Sequence, residues 1–281
     1  MADTILYLFC RERFDLLRVC LAHLYEAGLE RVEIVAFDDG STDPRVVDLL
    51  RDEMNAGRIA HVKAGPTQRY IGPRRIQALS RFLKDRRKPT YSIQMDADML
   101  VGRGVISEAL AAFDRLRAWQ PTVKRLDTGT EKPLRIGALS LCNLGQKNQA
   151  VGSFQVDGHS WRTLSKWGEA LWIGWRQCME DVGAEKIKPS ASGETEPLFV
   201  TLTEKTWHYA LATPLAGRVV HGGCWHSAII GQRPQAYLTY ADYNNREPAK
   251  TQWVYGSDLH HNRRPDWEAI YEKIVKQWEA Q

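Results

Sequence analysis

The chain lacks any run of about 18 apolar residues, the length needed to cross a bilayer as a helix. It also lacks the basic segment and apolar core of a secretory leader: Met1-Ala2-Asp3-Thr4 runs straight into Ile5-Leu6-Tyr7-Leu8-Phe9. Cysteine is sparse. Cys10, Cys20, Cys142, Cys178 and Cys224 are odd in number and form no C-x-x-C pair, which argues against a disulfide framework and against a zinc knuckle. Charge of one sign is scarce too, with 38 Lys and Arg against 34 Asp and Glu, so the net +4 does not mark a binder of polyanions. There is no internal repeat and no low-complexity tract. These absences lead to the expectation of a soluble, cytoplasmic protein in a reducing compartment, with no transmembrane segment and at most peripheral membrane contact.

What is present is an ordinary globular composition, 43% hydrophobic and 26% charged over 281 residues, enough to bury a sizeable core. The first third alternates strand and helix. After the first apolar strand, Phe14, Leu17, Cys20, Leu21 and Leu24 recur at helical spacing until Gly28. A second strand, residues 32–37, is followed by Asp43-Pro44, an N-cap and first helical position for a helix carrying Val46, Val47, Leu49 and Leu50. A short third strand at 59–62, a helix over 73–83 and a fourth strand at 91–95 complete the pattern, which predicts parallel strands with right-handed crossovers. Beyond residue 115 the pattern loosens. Residues 120–136 read as a loop or hairpin, 138–142 and 199–202 as strands, and the aromatic stretch 161–179 as a helix. From Pro265 and Asp266 onward, Trp267, Ile270, Tyr271, Ile274, Val275 and Trp278 predict a C-terminal helix.

Two of the predicted strands end in acids, Asp38-Asp39-Gly40-Ser41-Thr42-Asp43 after the second and Asp96-Ala97-Asp98 after the fourth. Asp at a strand end often only closes a turn through its own backbone. Two such clusters are more informative, because ligands of open α/β sheets bind outside the carboxyl ends of the strands, where both would converge. A crevice lined by carboxylates suits a hard cation, and Mg²⁺ or Mn²⁺ held by one or two carboxylates commonly also grips a diphosphate.

The two motifs, Val35-Ala36-Phe37-Asp38-Asp39-Gly40-Ser41-Thr42-Asp43 and Ile93-Gln94-Met95-Asp96-Ala97-Asp98, resemble the nucleotide-sugar-binding half of the GT-A glycosyltransferases, most closely the family 2 type. The resemblance covers about residues 4–110 well and the rest loosely. It departs after the first strand, where the family's Tyr-Asn-Arg-like turn is replaced by Phe9-Cys10-Arg11-Glu12-Arg13. It implies an α/β, Rossmann-like GT-A domain spanning 1–281, its mostly parallel sheet flanked by helices. Residues 1–110 would form the nucleotide-sugar half, and residues 111–281 the acceptor half with the C-terminal helix. It further implies metal-dependent transfer of a sugar from a nucleotide-diphosphate donor, with a UDP-sugar expected, to an acceptor hydroxyl with inversion.

The same resemblance distributes roles. Asp38 or Asp39 would accept the N3–H of a uracil-like base. Asp98 would ligate Mn²⁺ or Mg²⁺, and Asp96 the ribose or the metal. Gly72-Pro73-Arg74-Arg75 matches a glycine- and arginine-bearing element, which makes Arg74 a diphosphate contact beside Arg69 and Arg75. Val219-Val220-His221-Gly222-Gly223 resembles the element that supplies a histidine to the metal, with His226 as competitor. Cys178-Met179-Glu180-Asp181 resembles the family's acidic base element, with Asp181, and Glu180 beside it, as general base and Asp157 and Glu169 in reserve. Trp161, Trp167, Trp172, Trp175 and Trp207 suit either sugar stacking or a tryptophan-rich core.

Other classes fit less well. A haloacid-dehalogenase-type phosphatase needs its Asp-x-Asp after the first strand, and a nucleotidyltransferase needs a glycine-rich first loop; this chain has neither. A non-catalytic nucleotide-sugar-binding module stays open. So does a nucleic-acid acceptor, such as a hydroxylated DNA base, given the Arg- and Lys-dense stretch 69–88 and His260-His261-Asn262-Arg263-Arg264.

Overall fold

A computed structural model describes residues 2–66, 71–118, 122–125, 128–141, 150–156, 159–164, 170–188, 198, 207–212, 219–221, 235–237 and 253–255. The first part alternates as the sequence pattern predicts. β1 (Thr4–Cys10) leads to α1 (Phe14–Glu26), β2 (Val32–Asp38) to α2 (Pro44–Asn55), and β3 (His61–Ala64) to α3 (Ile71–Lys84). β4 (Tyr91–Asp96), a short β5 (Met99–Val101) and α4 (Val105–Ala118) follow. β1 pairs in parallel with β2 on one side and β4 on the other, and β2 with β3, giving the order β3-β2-β1-β4.

Every residue of β1 is buried, because helices cover both faces of the parallel strands. Side chains alternate across the pleat. Leu6, Leu8 and Cys10 join the larger apolar cluster with Leu17, Leu21 and Leu110, whereas Ile5, Tyr7 and Phe9 pack with Val35, Phe37, Ala78 and Phe82 on the α3 face. Local signals set the helix ends. The Asp43 carboxylate accepts from the Arg45 N–H at 3.0 Å with Pro44 opening α2. Gly28 lies just past α1 with φ +86°, where a Cβ would sit 2.4 Å from Ser107 Oγ.

The second part completes the same sheet with strands mostly in antiparallel pairing. β6 (Thr122–Arg125) and β7 (Glu131–Pro133) pair antiparallel, so of the loop or hairpin read over 120–136 the hairpin is found. β8 (Arg135–Ser140), β9 (Ala150–Val156), β10 (His159–Leu164) and β11 (Leu171–Trp175) follow, then the short α5 (Arg176–Asp181) and β12 (Trp207–Ala212). The described order continues β4-β11-β8-β12-β10-β9-β6-β7. β13 (Val219–His221) pairs with β5, and β14 (Gln235–Tyr237) with β15 (Trp253–Tyr255).

The stretch 161–179 is a correction. It holds two strands and the start of α5, not one helix. In β10, buried Trp161 and Thr163 flank exposed Arg162, a period of two. Four of the five residues of β11 are buried between β4 and β8, and such a continuous apolar run has no period to separate strand from helix. The strand expected at 199–202 and the helix expected from Pro265 lie outside the described residues. Cys10, Cys20 and Cys178 are buried free thiols. Among the described residues no helix is long and apolar enough to cross a membrane.

Candidate active site at the carboxyl edge of the parallel strands

β1 is the switch point of the sheet, with β2 and β4 on opposite sides, and both acid clusters flank its carboxyl end. Cys10 is the register partner of Asp38, and Phe9 that of Asp96. The two acids thus begin their loops two strand spacings apart, roughly 10 Å. Backbone bonds tie the loops to β1: the Asp39 N–H donates to the Cys10 carbonyl and the Ala97 N–H to the Phe9 carbonyl, each at 2.9 Å.

The acids then diverge in use. Asp38 is 1% exposed, and its carboxylate accepts from the Ser41 N–H and, at 2.5 Å, from Ser41 Oγ, so it closes its own turn. Asp39 instead accepts from Arg74 Nε at 2.8 Å, in a pair whose side chains are 11% and 7% exposed. The next residue on α3 repeats the arrangement, with Arg75 Nη2 donating to Asp96 Oδ1 at 2.7 Å from a side chain 2% exposed. A third arginine, Arg13, donates through Nη1 to Asp98 Oδ2 at 2.8 Å. Gly65 makes room for the first pair, since a Cβ there would fall 2.2 Å from Arg74 Nη2. Arg74 and Arg75 are therefore turned inward, which removes two cations of the stretch 69–88 from the outer surface; Arg69 lies outside the described residues.

The turn after β1 is strained. Glu12 and Arg13, neither a glycine, have φ of 53° and 61°, a left-handed conformation costing roughly 1–2 kcal/mol per residue. Contacts from Glu12 hold it. Its N–H donates to Ser41 Oγ at 2.8 Å, and its carboxylate accepts from the N–H groups of Thr42 at 2.6 Å and Asp43 at 3.1 Å. Burial alone would raise the Glu12 pKa, but those two backbone donors outweigh it and hold the carboxyl below the usual glutamate value. Arg13 and Arg75 are site residues that sequence reasoning did not assign to these acids. The only local signal was the departure of residues 9–13 from the family turn.

Asp96 and Asp98 offer hard oxygen donors that suit Mn²⁺ or Mg²⁺, and the backbone adds a third element. β13 pairs antiparallel with β5 so that His221 lies opposite Met99, the residue after Asp98. Among the described residues no three His, Cys, Asp or Glu side chains group as a metal site. Two carboxylates nonetheless fit a cation that takes its remaining ligands from diphosphate and water. Cys10 is not a donor, because burial, with Cys20 and the nearby acids, pushes its thiol well above the usual value.

Glu180 and Asp181 are not brought to this site. β11 runs antiparallel to β4, with Leu171 opposite Met95 and Trp175 opposite Tyr91, so α5 emerges at the amino end of β4. Five residues of strand, roughly 16 Å, separate that end from Asp96. There Asp181 accepts from Arg135 at 3.2 Å, and Glu180 from Arg176 at 3.3 Å. Arg176 is anchored by donating to the carbonyls of Phe82, Leu83 and Pro89. The expected base pair thus sits at the opposite edge of the sheet, because strand direction decides which edge a following helix reaches. Asp157, Glu169 and His226 lie outside the described residues. Ala170, the neighbour of Glu169, is nevertheless part of the site frame, since its carbonyl accepts the Asp96 N–H at 2.8 Å.

The sequence model of glycosyl transferase family 2 matches residues 5–161, from β1 into β10, including the turn after β1 and both acid loops. The chain belongs to glycosyl transferase family 2. Its architecture, parallel through β3-β2-β1-β4 and closed by mixed strands, is the GT-A arrangement. No curated protein matches the chain in sequence. Similar solved structures include S. aureus TarS 1-349, at 13% identity and TM-score 0.47, covering 75% of this chain and 58% of that one. The mannosyltransferase PcManGT from Pyrobaculum calidifontis, in complex with GDP-Man and Mn²⁺, matches at 14% identity and TM-score 0.45, over 98% of this chain and 68% of its own. GalNAc-T7 with UDP, GalNAc and Mn²⁺ matches at 12% identity and TM-score 0.51, over 78% and 43%. The chain thus spans less than two thirds of TarS 1-349 and of GalNAc-T7, and with GalNAc-T7 the likeness is one of fold.

Proposed function

We propose that this family 2 member transfers a glycosyl group from a nucleoside-diphosphate sugar, with UDP as the nucleotide, to an acceptor hydroxyl with inversion, using Mn²⁺ or Mg²⁺. Residues 1–110 bind the donor and residues 111–281 the acceptor within one GT-A domain. The observation that carries the reading is the meeting of Asp39, Asp96 and Asp98 at the carboxyl end of β1, each with its own arginine. Asp39, held by Arg74, accepts the N3–H of the base, while Asp38 keeps the turn closed. Asp96, oriented by Arg75, and Asp98 would hold the cation, with His221, on the strand paired with β5, as a further ligand. When bound, the cation supplies Lewis-acid stabilisation of the departing diphosphate.

The chemistry is a direct displacement. As the acceptor oxygen bonds to the anomeric carbon, that carbon's bond to the diphosphate oxygen breaks and the electron pair leaves with the nucleotide. The acceptor's proton passes to a carboxylate. That carboxylate has to work at the carboxyl edge, so Glu169, chain neighbour of the residue that bonds Asp96, replaces Asp181 as the first acid to test. The inward-turned Arg74 and Arg75 favour a saccharide or lipid-linked saccharide over a nucleic acid as acceptor. A steep fall of acceptor affinity with salt would reverse that preference.

Thermal unfolding tests the reading. UDP should stabilise the protein with Mn²⁺ present and much less in EDTA, since Asp96 and Asp98 repel a bare diphosphate. Equal stabilisation in EDTA removes the metal role, and no response to any nucleoside diphosphate removes the donor site.

A further inference from the structure

The Arg13–Asp98 pair, like Arg75 with Asp96, sets this chain apart from a simple acidic metal site, and Arg13 is the more exposed of the two arginines, 28% against 2%. Asp98 is the acid expected to ligate the cation, and its Oδ2 already receives the guanidinium of Arg13 at 2.8 Å. Arg13 is not there by default of packing. It caps α1 in a left-handed conformation, φ 61° and ψ 48°, with no side-chain capping bond of its own. The preceding residue is left-handed too, and Glu12 is pinned to Ser41, Thr42 and Asp43. Strain of this kind persists only where the surroundings over-determine it. The pinned turn projects Arg13 from the β1 loop onto the β4 loop, and its side chain stays 28% exposed, open to solvent.

We propose that Arg13 is a resident counter-cation of the donor site: it neutralises Asp98 in the free protein, yields that carboxylate to the divalent cation, and then pairs with the donor's diphosphate. The proposal rests on the metal-dependent reading above. A guanidinium suits both partners, since its planar fork of donors matches carboxylate and phosphate oxygens alike. Cation and Arg13 compete for one carboxylate, so free protein should bind metal weakly. Once diphosphate is present, Arg13 has a second partner and its competition becomes assistance. Metal and nucleotide then bind cooperatively, each raising the affinity for the other by the same factor.

The measurement is the dissociation constant of Mn²⁺, read from the free-ion paramagnetic resonance signal, with and without UDP and with no acceptor or turnover. The variant is Arg13→Asn, because Asn tolerates the left-handed conformation and is too short to hold Asp98; Arg13→Gly repeats the test with that strain relieved. Both variants should bind Mn²⁺ alone about three- to tenfold more tightly than the wild type, the scale of a partly exposed charge pair. The factor by which UDP tightens Mn²⁺ binding should shrink in both. If Mn²⁺ affinity without UDP and the UDP factor are unchanged while wild-type protein binds Mn²⁺ with UDP, Arg13 is only a structural link and the inference fails alone. Wild-type protein that binds no Mn²⁺ even with UDP overturns the inference together with the metal-dependent reading.

Discussion

The two edges of the parallel sheet use the same residue types in opposite ways. At the amino edge, arginines act as clamps with several partners each. Arg31 reaches both Asp3 and Asp114 at 2.5 Å, and Arg176 gathers the carbonyls of Phe82, Leu83 and Pro89 with Glu180. At the carboxyl edge three acids of two loops each meet an arginine: Asp39 meets Arg74, which also reaches Gln77 and the Asp38 carbonyl, Asp96 meets Arg75, and Asp98 meets Arg13. Arg176 gathers three backbone carbonyls and so serves the fold, because breaking it strands those groups. A carboxylate–guanidinium pair between two loops, such as Arg13 with Asp98, can exchange one partner for a ligand of like charge. On the proposed reading, the same chemistry supports stability at one edge and recognition at the other, and strand direction decides which.

The sharpest way to break this contrast is Asp98→Asn. Glycosyl transfer should fall by at least about a thousandfold, with the unfolding midpoint nearly unchanged, since a loop acid adds little to the core. Normal turnover in that variant would dissolve the site. The mirror experiment is Arg176→Met, which keeps the apolar stem over Phe82 but strands the carbonyls. Denaturant unfolding should show a loss of about 2–4 kcal/mol, with donor binding by the remaining folded protein intact. An equal effect on donor affinity would mean the two edges are coupled.

Acid should act next. His23, 3% exposed on α1, has its pKa lowered from 6.5 to about 4, mainly by burial, with a hydrogen bond to the Val101 backbone working the other way. The unfolded chain takes up a proton as pH falls through 6.5, whereas the folded protein resists until about 4, so stability is lost across that window. The loss should approach roughly 2–3 kcal/mol between pH 7 and pH 4 and be smaller in His23→Gln. A pH-independent difference between the two proteins over that range would refute this account. The smallest effect is expected for Asp181→Asn, which removes an exposed partner of Arg135 at the amino edge. Transfer should stay within about twofold of wild type and stability within about 0.5 kcal/mol. A fall of a hundredfold would return the base to Asp181.

Much of this was legible locally. The N-cap Asp43, the glycine after α1, the alternation of β1 and the acids ending β2 and β4 each rest on periodicity or turn chemistry within a few residues. The misread stretch 161–179 failed for a matching reason, since a short apolar run inside a sheet carries no period and only the flanking strands reveal its pairing. The resemblance makes Arg74 a diphosphate contact, but local sequence could not show that it and Arg75 are buried against the acid loops, which follows from where α3 packs.

By itself the sequence determined the strand–helix alternation, the two acidic loops and their family resemblance, because strands, caps and turns are set by neighbours along the chain. Tertiary structure alone decided which arginine meets which acid, that His221 pairs opposite Met99, and that Glu180 and Asp181 stand at the far edge. The physical reason is that these facts depend on strand order and direction, above all on β11 returning antiparallel beside β4, and such pairings are made between residues far apart in the chain.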